Sequence, residues 1–299
     1  MQRFVKVLLA AALLLAPVAA PAAQVKAFQH VQSVYFDEKG GSLATPEGVA
    51  CEGNSEFLVA DTGNGRLIRY KIQDDKVVAS PEMKLPQLPY PVRLQLDSKG
   101  NILALDEKVQ RIAKLTPQGA FSGYLEAKGV PGAEKMVPRS FKLDKKGNVY
   151  VLDIGANRVL ELDPAGNYLR QIPFPVVKGF FSDLAVVGGD VFLLNSADPA
   201  VFVAAKGKDA FVEITKNLRE YAAFPTYLTS DDKGLLYLAD QNGDGIVTLG
   251  YDGSFVARRL VLGWNEGQIN YPSQFCMQGN QVILTDRGNS RVQIFEIVR

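Results

Sequence analysis

Short apolar runs, almost uninterrupted by polar side chains, recur through this chain, and each closes on Asp or Asn: Glu56 to Asp61, Asn101 to Asp106, Asn148 to Asp153, Asp190 to Asn195, Leu235 to Asp240 and Gln281 to Asp286. Runs so short and so continuous predict strands buried on both faces. Ahead of each run lies another apolar strand, opened by Pro46, Pro91, Pro138, Pro225 or Pro272, and by a unit around Ser182 that has no proline. Behind each run a third strand starts near Arg66, Arg111, Arg158, Val201, Ile246 or Arg291. Gly-containing hairpins lead on to a fourth strand, and Ser98-Lys99-Gly100-Asn101 and Pro164-Ala165-Gly166-Asn167 mark the turns. Six units about 45 residues apart, with four short strands in each, predict an all-β, six-bladed β-propeller of antiparallel blades from Thr45 onward.

The last unit reaches Arg299 just after its third strand and so lacks an outer one, while an unassigned β-like run, His30 to Phe36, precedes the first unit. The N-terminal run is therefore expected to pair onto blade six, closing the ring and removing a free edge. Before it, Met1 to Lys6 carries two positive charges and Val7 to Ala16 is apolar, followed by small residues and prolines. This order predicts a secretory signal peptide over residues 1–22, with Ala20-Pro21-Ala22 at the cleavage site, and a propeller domain over 23–299. The expected location is periplasmic or extracellular, with no membrane span once the leader is removed.

Without Arg3 and Lys6 the chain keeps 31 basic residues against 32 acidic ones, a formal charge of −1. That balance gives no electrostatic footprint for nucleic acid. The two cysteines, Cys51 and Cys276, each lie ten residues before the Asp that closes their unit's second strand. They occupy equivalent inner-strand positions in blades one and six, which are neighbours only in a closed ring. A disulfide and a pair of buried thiols are both compatible with that spacing.

Thr45-Pro46-Glu47-Gly48-Val49-Ala50, followed by Val59-Ala60-Asp61 and Asn64-Gly65-Arg66, resembles the NHL repeat, as do Asp153 to Val159 and Asp286 to Val292. The resemblance covers nearly all of the chain after the leader and implies the propeller fold. It departs at unit four, where Asn195 and Ala200 replace Asp and Arg, and at unit five, where Gly245 holds the Arg position. The pairs Asp61/Arg66, Asp106/Arg111, Asp153/Arg158 and Asp286/Arg291 suit architecture, because a catalytic group is needed once and these recur.

Unit five spells Asp240-Gln241-Asn242-Gly243-Asp244-Gly245, the opening of a calcium loop, although position twelve is Tyr251 and the flanks read as strands. Asp240, Asn242 and Asp244 are thus candidate calcium ligands, with a plain polar turn as the alternative; no other cofactor is expected. His30 is the only histidine. Amidating and streptogramin lyases on related propellers rely on several histidines, which this chain cannot supply. There is no Cys-x-x-Cys-His and no Gly-x-Ser-x-Gly. A gluconolactonase-like, metal-dependent hydrolase escapes the histidine test, and Glu47 is the one residue placed for that role.

In a propeller, the connection into each innermost strand and the loop between second and third strands open on one face. Tyr90, Phe181, Phe224 and Tyr271 lie just before innermost strands, and Trp264 lies in the connection to unit six. Glu47, Arg93, Arg139, Asp183, Tyr227 and Gln274 take comparable early positions in those strands yet share no chemistry. Sameness serves the fold, whereas differences serve an asymmetric ligand. The expectation is a monomeric, non-catalytic binding or scaffold propeller that engages a protein, peptide or glycan of the cell envelope at this channel mouth. Packing of the blade tops is the competing role for the aromatics.

Overall fold

The computed structural model describes residues 27–298 apart from 54, 75 and 232. The leader assigned to residues 1–22 lies outside that range. After the first strand, β1 (Ala27–Val34), the chain builds five four-stranded antiparallel sheets in sequence order and then a sixth that β1 completes. Blade one comprises β2 (Gly48–Gly53), β3 (Glu56–Asp61), β4 (Arg66–Gln73) and β5 (Lys76–Ala79). Blade two comprises β6 (Pro91–Leu96), β7 (Ile102–Asp106), β8 (Arg111–Leu115) and β9 (Phe121–Tyr124). Blade three holds β10 (Pro138–Leu143), β11 (Val149–Asp153), β12 (Arg158–Leu162) and β13 (Tyr168–Pro173), and blade four β14 (Phe181–Val187), β15 (Asp190–Asn195), β16 (Ala200–Ala204) and β17 (Val212–Glu213). Blade five runs through β18 (Pro225–Ser230), β19 (Leu235–Asp240), β20 (Gly245–Gly250) and β21 (Phe255–Arg259). Blade six contributes β22 (Pro272–Gln278), β23 (Gln281–Asp286) and β24 (Arg291–Val298), and β1 completes it.

The closing strand pairs from Ala27↔Val298 to Val34↔Val292, with a bulge between His30 and Gln32. It begins earlier than expected and ends before Tyr35, because Phe36 turns away to bridge Ser42. His30 rests edge-on against Phe295 with its Nε2 2.9 Å from Ser33 Oγ, on the outer rim of the blade.

The core is a set of layers between neighbouring blades. Phe57, Tyr70 and Val49 of blade one meet Ile283, Val292 and Ile294 of blade six, and Tyr227, Tyr237 and Ile246 of blade five meet Phe275, Leu284 and Phe295. Each sheet is covered on both faces, which is why its second strand is apolar without alternation. Cys51 of β2 and Cys276 of β22 form a disulfide across the blade one and six seam, with a Cα separation of 5.7 Å.

Prolines open β6, β10, β18 and β22, where a strand's first residue need not donate a ladder hydrogen bond. Just inside those starts the pairing slips, between Pro91 and Arg93, Pro138 and Ser140, Pro225 and Tyr227, and Pro272 and Phe275, and also between Phe181 and Asp183 in β14. Such bulges re-aim side chains. Here they do so at the propeller axis.

Candidate functional site at the channel mouth

The residue that closes each second strand faces the connection arriving from the preceding blade. Asp61 accepts the Ala44 N–H, Asp106 that of Tyr90, Asp153 that of Val137, Asp240 those of Ala223 and Phe224, and Asp286 that of Asn270. In blade four the Asn195 amide oxygen accepts the Phe180 N–H instead. Arg66, Arg158 and Arg291 each donate Nε to their Asp at 2.7–2.9 Å. Arg291 is buried and holds the Trp264, Asn265 and Gln268 carbonyls as well.

Blade two departs from the expected pairing. Arg111 is exposed and lies 3.9 Å over the Tyr124 ring, while Asp106 is satisfied by the Tyr90, Lys108 and Val109 N–H groups. In blade five Arg258 of β21 replaces the missing arginine and reaches Asp240 Oδ2 at 2.9 Å. The glycine at position 245 makes that possible, since a Cβ there would come 3.0 Å from the Arg258 guanidinium carbon. In the calcium-like loop both Asp240 oxygens accept hydrogen bonds, and Asp244 Oδ1 accepts the Tyr271 N–H at 2.7 Å. Asp240 and Asp244 thereby anchor neighbouring connections. Among the described residues no three His, Cys, Asp or Glu side chains are grouped to hold a metal.

One residue further along, uniformity ends. Thr62 Oγ1 donates to the Pro91 carbonyl and Ser196 Oγ to that of Pro225, each on the next blade. At the same position Glu107 accepts from Arg139 Nη1 at 3.1 Å, and Arg287 Nε lies 3.2 Å from Glu47 Oε1. Glu107 and Arg287 were not singled out from the sequence. The signal that could have found them is their place directly after the repeated Asp.

Glu47, Arg93, Glu107 and Arg139 line a cavity of about 110 Å³ between blades two and three. Arg287 closes on Glu47 from blade six. Burial pushes the Glu47 carboxyl above its ordinary range, against the pull of Arg287, Arg93 and Arg139 and with Glu107 adding to the rise. Burial also lowers the Arg139 guanidinium. Arg93 reaches across the axis to Ser273 Oγ (3.2 Å) and the Thr226 carbonyl (3.4 Å). Its buried Nε has no hydrogen-bond partner, and the same holds for Arg287 Nε, which is near enough to Glu47 for an ion pair but not aligned with it.

Asp183, Tyr227 and Gln274 are placed differently from the expectation, because they are buried and close the channel beneath the mouth. Asp183 accepts from Ser140 Oγ and from the Leu228 N–H, and meets Lys142 Nζ at 3.3 Å. Lys142 sits 3.9 Å over the Tyr227 ring, which packs edge-on against Phe275. Gln274 bonds both the N–H and the carbonyl of Leu94, two blades away. It can do so over Gly48, where a Cβ would stand 3.1 Å from Leu94 Cγ.

Of the aromatics, Phe181 is a core residue against Phe174. Its neighbour Phe180 takes the rim position, stacked on Phe224 at 6.3 Å with Arg139 4.9 Å above its ring. Tyr90 lies under Lys108 at 5.1 Å. Tyr271 and Trp264 are exposed, on the loop that leads into blade six.

The NHL repeat pattern matches residues 270–295, which span blade six from the approach to β22 into β24. No curated protein matches the sequence. Solved structures share the fold at low identity. A catalytically inactive His-to-Ala variant of virginiamycin B lyase from Staphylococcus aureus, with quinupristin, is 13% identical with a TM-score of 0.65, covering 89% of this chain and 99% of that one. A gluconolactonase from Xanthomonas campestris is 13% identical with a TM-score of 0.66, over 93% and 92%. A chain of a nidogen/laminin complex is 13% identical with a TM-score of 0.59, over 78% and 91%. Enzymes and a protein-binding propeller thus stand side by side, and at such identity the likeness is one of fold. No helix among the described residues is long and apolar enough to cross a membrane.

Proposed function

We propose that this chain, a six-bladed β-propeller carrying an NHL repeat, is an exported, non-catalytic binding module that engages a protein, peptide or glycan of the cell envelope at its channel mouth. The observation that carries the reading is the mouth itself: a shallow cavity over a plugged axis, walled by charged side chains that differ from blade to blade. Export is supported by the N-terminal charge and hydropathy pattern, and a disulfide suits an oxidising compartment. The lyase neighbour's inactive variant lacks a histidine, whereas the single histidine here sits on the outer rim of blade six.

A second reading, a metal-dependent gluconolactonase-like hydrolase, draws on one observation. Glu47 is a buried carboxyl with a raised pKa in a cavity, as catalytic carboxylates often are. Its neighbours weaken that reading, because Arg287, Arg93 and Arg139 would repel a divalent cation.

The test is capture from a native envelope extract with the wild-type protein and with an Arg139→Ala/Arg287→Ala variant whose melting temperature is checked first. A partner held by the wild type and lost by the variant is expected. Equal capture by both would overturn the mouth as the binding surface. Calcium, manganese or zinc binding at the mouth together with lactone hydrolysis would transfer the case to the enzyme.

A further inference from the structure

We infer that the group this mouth takes is a carboxylate, carried on an acidic side chain or chain end of a peptide partner; the inference rests on the binding role proposed above. Its first support is charge. Glu47 is matched by Arg287 and Glu107 by Arg139, while the deeper Asp183 is matched by Lys142. Among the described residues Arg93 has no carboxylate partner within ion-pair distance, and its acceptors are two carbonyls and a hydroxyl.

The second support is an unmet demand for acceptors. Arg93, which lines the cavity, has an Nε–H without a hydrogen-bond partner, and such donors are rarely left unpaired in folded proteins. A carboxylate brings two oxygens and one negative charge, and charge-assisted hydrogen bonds to guanidinium are among the stronger ones available.

The third support is the rim. The cavity opens at the mouth, where Phe180 and Phe224 stack beside Arg139 and can receive the peptide chain that flanks the acid.

The experiment is calorimetry and amide NMR on the intact, disulfide-bonded protein with acetyl-Gly-Glu-Gly-amide, its Gln counterpart, trigalacturonate and inorganic phosphate. The Glu peptide should bind about tenfold tighter than the Gln peptide, in line with the larger worth of charged hydrogen bonds. Arg93→Gln, with its melting temperature checked first, should remove that preference, and Arg139→Gln, at a half-buried position in the cavity wall, should reduce it. Glu47→Gln should strengthen Glu-peptide binding, since it removes a repelling carboxylate.

Equal binding of the two peptides, or trigalacturonate binding at the mouth in place of the peptide, would overturn the inference. Phosphate competing as well as the Glu peptide would reduce the site to a general anion trap and overturn it too. If the captured partner still depends on Arg139 while none of these peptide effects appears, the binding role stands and the carboxylate falls. If capture is also insensitive to Arg139, both fall.

Discussion

Asp106 and Glu107 are adjacent, as are Asp286 and Arg287, yet each pair is divided between two tasks. The first residue of each pair turns back to its own blade and holds the incoming backbone. The second reaches toward the next blade and takes part in the charged mouth. A strand alternates its side chains, so a position at its end and the one beyond it can serve different surfaces. The inward position is repeated because every blade has the same backbone to hold. The forward position is free to differ, and it does: Thr62, Glu107, Ile154, Ser196, Gln241 and Arg287.

The sharpest way to break this comparison is Arg291→Ala. The buried Asp286 would lose its cation and three backbone carbonyls would lose a donor, so the expected cost is about 3–5 kcal/mol. Arg111→Ala, at the same repeat position, should cost only about 0.5–1 kcal/mol, the worth of its stacking on Tyr124. Urea denaturation of the two variants reads the contrast, and equal losses would mean that the arginine position matters for a reason other than its Asp. Tyr227→Ala should destabilise by about 3 kcal/mol or somewhat more through the void left against Phe275. A near-wild-type midpoint for that variant would restore Tyr227 to the exposed mouth.

A smaller effect of opposite sign is expected at Glu47. Burial raises its pKa in the folded protein, so the folded state binds that proton more tightly than the unfolded chain. Its contribution to stability is present at low pH and is lost as pH rises from about 4.5 through the folded value. Glu47→Gln should therefore raise the melting temperature at pH 7 and leave it nearly unchanged below pH 4.5. The smallest change is expected for Glu107→Gln, at a half-exposed side chain: within about 0.5 kcal/mol in stability. A large loss there would erase the division between holding and mouth positions.

The blade count, the ring closure and the neighbouring cysteines were legible because each follows from a period and a register. The mouth was legible in half. Glu47, Arg93 and Arg139 converge on one cavity as their early inner-strand positions imply. Asp183, Tyr227 and Gln274, from comparable positions, are buried instead by partners on other strands that no local pattern marks: Ser140, Lys142 and Leu228 for Asp183, Phe275 for Tyr227 and Leu94 for Gln274. Lys142 gave no signal, since it falls within an apolar strand and is drawn inward only by Asp183 and the Tyr227 ring. The replacement of a missing arginine by Arg258 was equally hidden, because it depends on a strand two places across the sheet and on the empty Cβ position of Gly245.

The paired closure of blade six also sets how the molecule bears load. Ala27 and Val298 are partners at one end of the β1–β24 ladder, so tension applied between them opens the rungs in succession and needs little force at any one moment. The opening then meets the bond between Cys51 and Cys276, whose partners are 225 residues apart in sequence. Everything between them is shielded, and only the short outer segments can lengthen, at about 3.3–3.6 Å per residue. In an extension experiment the oxidised protein would give way early over a short, bounded distance and then hold. After reduction, the same pull would run on through the blades.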